Sequence, residues 1–311
     1  MNKLMTVVAA SVCAVSLSGS AVAAEDRSTE NKEVEELQEE EDKLFEAGLD
    51  VDLNSAYIWR NVVQTDKPVF QPCVWADFTG FDPFWFGFSY WQGWDLSSDR
   101  SDVYRRRLNE SDYNLHVGAT AWESEDGDMS LELELGHEWY TYHFDRDRSS
   151  PSTREFYLHG KFANPVVDIY GQVSWMYDDI GECDSGWYYE LGFNKEVDLA
   201  SCLAVPEETL TLGLDWNLSF GDGNYLRYLL GDVNCEYDDD DELVSSDRPY
   251  GFAGTTAKAY LTWNITEWMS LTGTIAYTGL LNQDARDQYD ADGAGDDKDV
   301  LWGGFRLSFS Y

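Results

Sequence analysis

From Leu49 to the last residue, apolar and polar side chains alternate with a period of two, in segments of roughly ten residues separated by turn formers. Between Asp128 and Tyr140, Met129, Leu131, Leu133 and Leu135 share one face, while Ser130, Glu132, Glu134 and Gly136 share the other. Thr209 to Phe220 repeats the arrangement, setting Leu210, Leu212, Leu214, Trp216 and Leu218 against Thr211, Gly213, Asp215, Asn217 and Ser219. Successive side chains of a strand point to opposite faces, so each segment offers one apolar and one polar surface. The same alternation predicts strands near 49–60, 68–79, 83–93, 112–123, 128–142, 153–163, 165–178, 185–194, 208–220, 255–266, 268–279 and 300–311. About 12 strands follow, an even number that brings both chain ends to one side of a closed antiparallel barrel.

The connections support an all-β transmembrane β-barrel with short periplasmic turns and long acidic extracellular loops. Even-numbered connections hold Gly80-Phe81-Asp82, Glu125-Asp126-Gly127, Asn164 and Glu267, all short. Odd-numbered ones hold Asp95 to Ser111, His143 to Ser152, Asp179 to Asp184, Gly221 to Gly254 and Leu280 to Asp299. Lys195 to Glu207 departs from the rule, being long where a short turn is due, so a count of about 14 stays open. Asn224 to Val233 has room for a hairpin or a short helix inside the longest loop. The final strand, Phe305-Arg306-Leu307-Ser308-Phe309-Ser310-Tyr311, alternates to a terminal aromatic and resembles the C-terminal signature read by the barrel-assembly machinery. Aromatic residues make up 15% of the chain, and Trp59, Trp91, Trp94, Trp263, Trp268 and Tyr277 fall toward strand ends, as two headgroup-level girdles require.

Upstream, Met1 to Ala24 reads as a secretory signal peptide: Lys3, an apolar run from Met5 to Leu17, then Ala21-Val22-Ala23 before the cleavage point. Cys13 raises a lipoprotein alternative, which Val12 and the apolar run beyond it oppose. Residues 25–47 form an acidic segment, periplasmic and either a solvated helix or a disordered tail, and residues 48–311 form the barrel. Past the signal peptide no window approaches the roughly 18 to 20 consecutive apolar residues of a spanning helix, so a membrane passage must be made of strands.

The formal charge is −38, with 59 acidic residues against 21 basic, which excludes nucleic acid as a partner. With the apolar face toward outer-membrane lipid, the lumen receives Asp50, Asp52, Glu132, Glu134, Glu138, Asp168, Glu190, Asp215, Lys258 and Arg306 as candidate pore-lining residues. Two readings of these charges stand side by side. A carboxylate-rich constriction attracts cations; alternatively Glu132, Glu134, Asp50 and Asp52 pair across strands with Arg306, Lys258, Lys161 and Arg60 and brace a plugged barrel.

The acidic loops offer Asp238, Asp240, Asp290 and Asp292 as candidate oxygen ligands, suited to calcium or magnesium and to no other cofactor. A calcium-loop match beginning at Asp232 fails, because Tyr237 takes the place of its glycine and Leu243 that of its final glutamate. Cys183 and Cys235 are the disulfide candidates, both in extracellular loops; Cys73 on a strand and Cys202 in a turn leave a second bridge open. No nucleophile elbow, HExxH or phosphate loop accompanies His116, His137, His143 and His159, so no enzyme is expected.

Leu53-Asn54-Ser55-Ala56-Tyr57-Ile58-Trp59-Arg60-Asn61, then Lys67-Pro68-Val69-Phe70-Gln71-Pro72 and the aromatic run Phe84-Trp85-Phe86-Gly87-Phe88-Ser89, resemble the start of the TorF-type porin family. That family has a Tyr-x-x-Arg-Gly run closing its first strand and a Pro-x-x-Gln element opening its second; Asn61 stands here where its glycine is expected. The resemblance implies an outer-membrane barrel with passive transport and supplies no catalytic residues. The expected function is a narrow, cation-favouring diffusion channel for ions or small solutes. Its alternative is a non-conducting surface barrel whose acidic loops bind a partner, ligand or divalent cation.

Overall fold

The computed structural model describes residues 44–96, 108–143, 152–178, 185–203, 206, 209–230, 235–237, 243–246, 251–283, 286 and 299–311. The expected signal peptide, the acidic segment up to residue 43, Cys183, and the loop ligands Asp238, Asp240, Asp290 and Asp292 lie outside these residues.

Twelve strands close into one antiparallel barrel. They are β1 (Phe45–Asn54), β4 (Val69–Phe81), β5 (Phe84–Asp95), β6 (Leu108–Glu123), β7 (Ser130–Tyr142), β8 (Ser152–Ala163), β9 (Asp168–Asp178), β10 (Gly186–Asp198), β11 (Leu210–Gly221), β14 (Gly251–Thr266), β15 (Met269–Leu280) and β16 (Asp299–Ser310). Two small hairpins lie outside the wall: β2 (Tyr57–Trp59) with β3 (Val62–Thr65), and β12 (Cys235–Tyr237) with β13 (Leu243–Ser246). Each wall strand pairs with its neighbours in chain order, and β1 closes the ring on β16 in a register that sets Asp52 opposite Arg306. Phe45 to Ala47, assigned by sequence to the acidic segment, are the first residues of β1; Phe45 packs on Phe78 of β4 at 5.0 Å.

The alternation decides which way each strand faces. Leu135, Phe84 and Ile275 are 54%, 56% and 58% exposed, whereas Asp50 and Glu132 are 3% and 5% exposed. A water-soluble domain buries the first group and exposes the second. The inverted distribution is that of a membrane-spanning barrel, whose backbone groups are all paired and whose outer wall meets hydrocarbon.

Connections of two kinds mark the two ends. Residues 82–83, 124–129, 164–167, 199–209 and 267–268 make the short-turn end, and 55–68, 96–107, 143–151, 179–185, 222–250 and 281–298 make the long-loop end. Among the described residues the anomalous connection after β10 holds no extra strand. It contains the helix Ala200–Leu203, whose first amide donates to Asp198 Oδ1 at 2.8 Å, so the count stays at twelve. The longest connection opens with the helix Gly223–Leu230, capped where the Tyr225 amide donates to Asp222 Oδ1 at 2.8 Å.

Two of the expected girdle tryptophans turn inward. Trp59 packs against the interior apolar cluster, with its ring edge 5.5 Å from Tyr140, because the chain after Asn54 leaves the wall. Trp91 pairs in register with Asp112 and lies 5.5 Å from the Tyr57 ring. Trp263, Trp268 and Tyr277 do face outward, at about half exposure.

Candidate functional site

The lumen is built in three parts, and the first is a plug at the long-loop end. β2 and β3 form a hairpin whose two-residue turn, Arg60-Asn61, has φ of 50° and 64°. Two consecutive left-handed residues suit the right-handed twist of the flanking strands, and Asn tolerates that region. The hairpin carries Arg60 into the barrel, where its guanidinium pairs with Glu155 of β8 and lies 4.2 Å from the Tyr188 ring centre and 5.7 Å from that of Tyr225. Around it Val62, Met176, Tyr188, Tyr225, Leu226, Ala253 and Leu280 form a buried apolar cluster, so the helix Gly223–Leu230 and the hairpin seal against each other. Tyr57 donates to Glu110 Oε2 at 2.8 Å, tying the hairpin also to β6.

The second part is a filled half along β4 to β8. His116 Nε2 lies 2.8 Å from Asp77 Oδ1, and Tyr157 donates to Glu134 Oε1 at 2.8 Å. Large rings lie flat across glycines directly opposite on the neighbouring strand: Trp75 over Gly48, Trp85 over Gly118 and Tyr157 over Gly136. A Cβ at any of these glycines would overlap the ring. Glycine here is what lets a wide aromatic occupy lumen space beside the wall.

The third part is a polar cavity of about 450 Å³ against the opposite half of the wall, from β8 round to β1. Tyr170 and Tyr260 lie over Gly192 and Gly213 in the same cross-strand manner and expose their hydroxyls to it. Tyr170 donates to Asp215 Oδ2 at 3.0 Å, and Tyr260 donates to Glu196 Oε1 at 2.8 Å while accepting from Asn194 Nδ2 at 3.0 Å. Arg306 grips Asp52 with two parallel bonds of 2.7 and 2.8 Å. Lys258 pairs with Asp215 at 3.2 Å and Lys161 with Asp168 at 3.0 Å. Glu190 joins plug and cavity, accepting from Tyr188 on one side and from Asn217 Nδ2 at 3.3 Å on the other.

Of the sequence-predicted lumen residues, Asp52, Glu190, Asp215, Lys258 and Arg306 come together on the cavity. Asp168 reaches it through Lys161. Asp50, Glu132 and Glu134 are buried on the inward face, and Glu138 lies under the plug, accepting from Tyr140 at 2.7 Å. Of the expected cross-strand pairs Asp52 with Arg306 forms, while Lys161, Lys258 and Arg60 choose Asp168, Asp215 and Glu155 instead. Sequence reasoning passed over Glu155, although it shares the inward alternation of His159 and Lys161, and it placed Arg60 on a wall strand.

Among the described residues no group of three or more His, Cys, Asp and Glu is arranged to hold a metal ion. Cys73 is a free thiol on the inward face of β4. The expected bridge between Cys183 and Cys235 falls outside the described side chains.

No protein-family model and no curated protein matches the chain. Among solved structures it is similar to outer membrane phospholipase A from Escherichia coli, at 14% identity over 85% of this chain and 92% of that one, with a TM-score of 0.42. It is similar to the COG4313 outer membrane channel from Pseudomonas putida F1, at 9% identity over 86% and 95% of the two chains, with a TM-score of 0.48. The KdgM porin gives 9% identity over 86% and 98%, with a TM-score of 0.40. These are likenesses of architecture alone.

Proposed function

We propose that the chain is a porin-like barrel of the bacterial outer membrane, a narrow passive channel for ions or small solutes with no catalytic chemistry of its own. The carrying observation is the polar cavity of about 450 Å³ inside a closed wall whose outer face is apolar. A barrel of this size lies between the side-chain-filled interior of about 8 strands and the aqueous channel of about 16. A hollow confined to one half of the lumen is what that intermediate size permits. The long-loop end is then extracellular and the short-turn end periplasmic.

Cation preference is the finer part of the proposal. Carboxylates exceed cations along the inward face of the described strands, and unpaired negative charge in a confined passage concentrates positive ions. The plug supports a second reading, a barrel that is closed as it stands and conducts only when the hairpin moves. Planar-bilayer recording of the detergent-refolded protein in asymmetric potassium chloride tests both. Stable steps with a cation-directed reversal potential support the open channel. Silence from a folded, heat-modifiable wild type, with conduction from Arg60→Ala, supports the plugged form, and silence from both overturns the channel.

A further inference from the structure

The polar cavity has an aromatic floor. Tyr170 of β9 lies across Gly192 of β10 and donates to Asp215 of β11 at 3.0 Å. Tyr260 of β14 crosses in the opposite sense, over Gly213 of β11, to Glu196 and Asn194 of β10. The two rings therefore tile four neighbouring strands. A ring flat on a glycine turns one face to the backbone and the other to the lumen, and both rings line the cavity. Trp302, whose indole N–H donates to Thr278 Oγ1 at 3.0 Å, adds a third ring to the lining.

Around this floor the lining offers uncharged hydrogen-bonding groups. Gln172 gives its amide to Ser174 Oγ at 2.8 Å and Asn194 gives its amide to the Tyr260 hydroxyl at 3.0 Å. Among the described residues Gln172 Oε1 and Asn194 Oδ1 accept no hydrogen bond. Thr262 and Thr272 share one hydrogen bond of 2.9 Å, so the pair retains one hydroxyl proton to donate. The charges, by contrast, are matched to each other: Asp52 with Arg306, Asp215 with Lys258 and Lys161 with Asp168. Glu190 accepts from Tyr188 and from Asn217. A charged solute must compete with these pairs and meets a lining even in sign, so its charge gains it nothing.

We infer that the cavity is a binding site for a neutral pyranose sugar, seated with one C–H face on Tyr170 and Tyr260 and its hydroxyls on Gln172, Asn194 and the Thr262–Thr272 pair. The inference rests on the proposed reading of the cavity as a solute path and names the class of solute. A pyranose is flat and amphipathic, with hydroxyls round its edge and C–H groups on its faces. An apolar ring floor bordered by a few placed polar groups is the complement of that shape. Each sugar hydroxyl both donates and accepts, which suits amide oxygens and a threonine pair with one proton to give. The volume of about 450 Å³ falls within the range of about 300–1,000 Å³ that small-molecule sites occupy.

Calorimetric titration of the refolded full chain with glucose, in a detergent that carries no sugar headgroup, tests the site. Glucuronate and glucosamine, compared at mildly acidic pH, are the charged controls built on the same ring. Saturable glucose binding is expected, with both charged sugars weaker by about tenfold or more. Tyr260→Phe keeps the floor and should hold the glucose Kd within about threefold, whereas Tyr260→Ala should raise it by about fivefold or more. Heat-modifiability of each variant checks folding, and the three sugars on wild type carry the test should Tyr260→Ala fail to fold. Bilayer conduction by the same preparation separates the two failures. A conducting protein that shows no saturable glucose binding, that holds all three sugars alike, or that binds as tightly with Ala at position 260 overturns the inference and leaves the channel standing. Glucose binding with the expected preference, by a folded protein that is silent in the bilayer, supports the site and overturns the channel.

Discussion

Arg60 and Glu155 lie 95 residues apart in the chain and meet inside the barrel, with side-chain exposures of 8% and 0%. Their ion pair fastens a hairpin that has no hydrogen-bonded partner strand in the wall. An isolated two-stranded hairpin is marginal in water, so its position depends on this pair and on the aromatic rings around it.

Removing one partner strands the other as a buried charge, at a cost of about 3–5 kcal/mol. Glu155→Gln and Arg60→Ala are therefore expected to loosen the plug and raise single-channel conductance above wild type. The double variant should lose less than the sum of the two single losses, because neither charge is then left alone. Unfolding midpoints from heat-modifiability gels, read beside bilayer recordings, check both statements. A conductance unchanged by either single substitution would show that the hairpin does not govern the passage.

The turn makes a second prediction. Asn61 has φ of 64°, a region that glycine enters freely and β-branched residues avoid. Asn61→Gly should leave the unfolding midpoint within experimental scatter, whereas Asn61→Val should cost about 1–3 kcal/mol. Equal midpoints for the glycine and valine variants would refute the left-handed turn.

Interior ring-on-glycine pairs give a third. Tyr170 and Tyr260 occupy the space that a side chain at Gly192 or Gly213 would need, and each hydroxyl reaches a carboxylate of Asp215 or Glu196. Gly192→Val and Gly213→Val should each force a ring aside and lower stability by about 1–3 kcal/mol, with altered conductance because the displaced ring enters the cavity. Gly160, on the outward face opposite Leu133 and covered by no ring, should accept alanine at smaller cost. Denaturant midpoints of the refolded variants test the ranking.

The wall was legible in the sequence because lipid imposes one rule on every strand. With hydrocarbon outside and polar groups inside, Leu131, Leu133 and Leu135 had to share a face against Glu132 and Glu134, and all twelve wall strands followed from that alternation. The lumen was legible only as a set of residues. Which cation meets which carboxylate depends on stagger between strands, so Lys258 opposite Asp215 and Arg306 opposite Asp52 became visible only with the register. The plug escaped for another reason. Tyr57 to Arg60 was assigned to the end of the first wall strand, and nothing in a period of two says that the chain has left the wall after Asn54. Arg60 preceding Asn61 was the available clue, a two-residue left-handed turn at the end of the strand assigned to 49–60.

Charge balance on the cavity sets the last prediction. Asp52, Glu190 and Asp215 face it together with Lys161, Lys258 and Arg306, so the lining is even in sign although the inward face as a whole is acidic. Selectivity at this level therefore hangs on single charges. Lys258 is the more accessible half of its pair, at 34% side-chain exposure against 7% for Asp215. Replacing it by glutamine leaves the lining one charge negative, and a unit charge about 4 Å from a permeating ion contributes about 1 kcal/mol in a water-like passage. Lys258→Gln is expected to move the reversal potential toward the cation limit by roughly a fivefold change in permeability ratio, and Asp215→Asn to move it the other way. Raising the salt concentration should shrink both displacements, since screening lengths fall to about 3 Å at molar ionic strength. Reversal potentials that ignore both substitutions would place the selective constriction elsewhere, at the carboxylates Glu110, Asp112 and Glu138 beneath the plug.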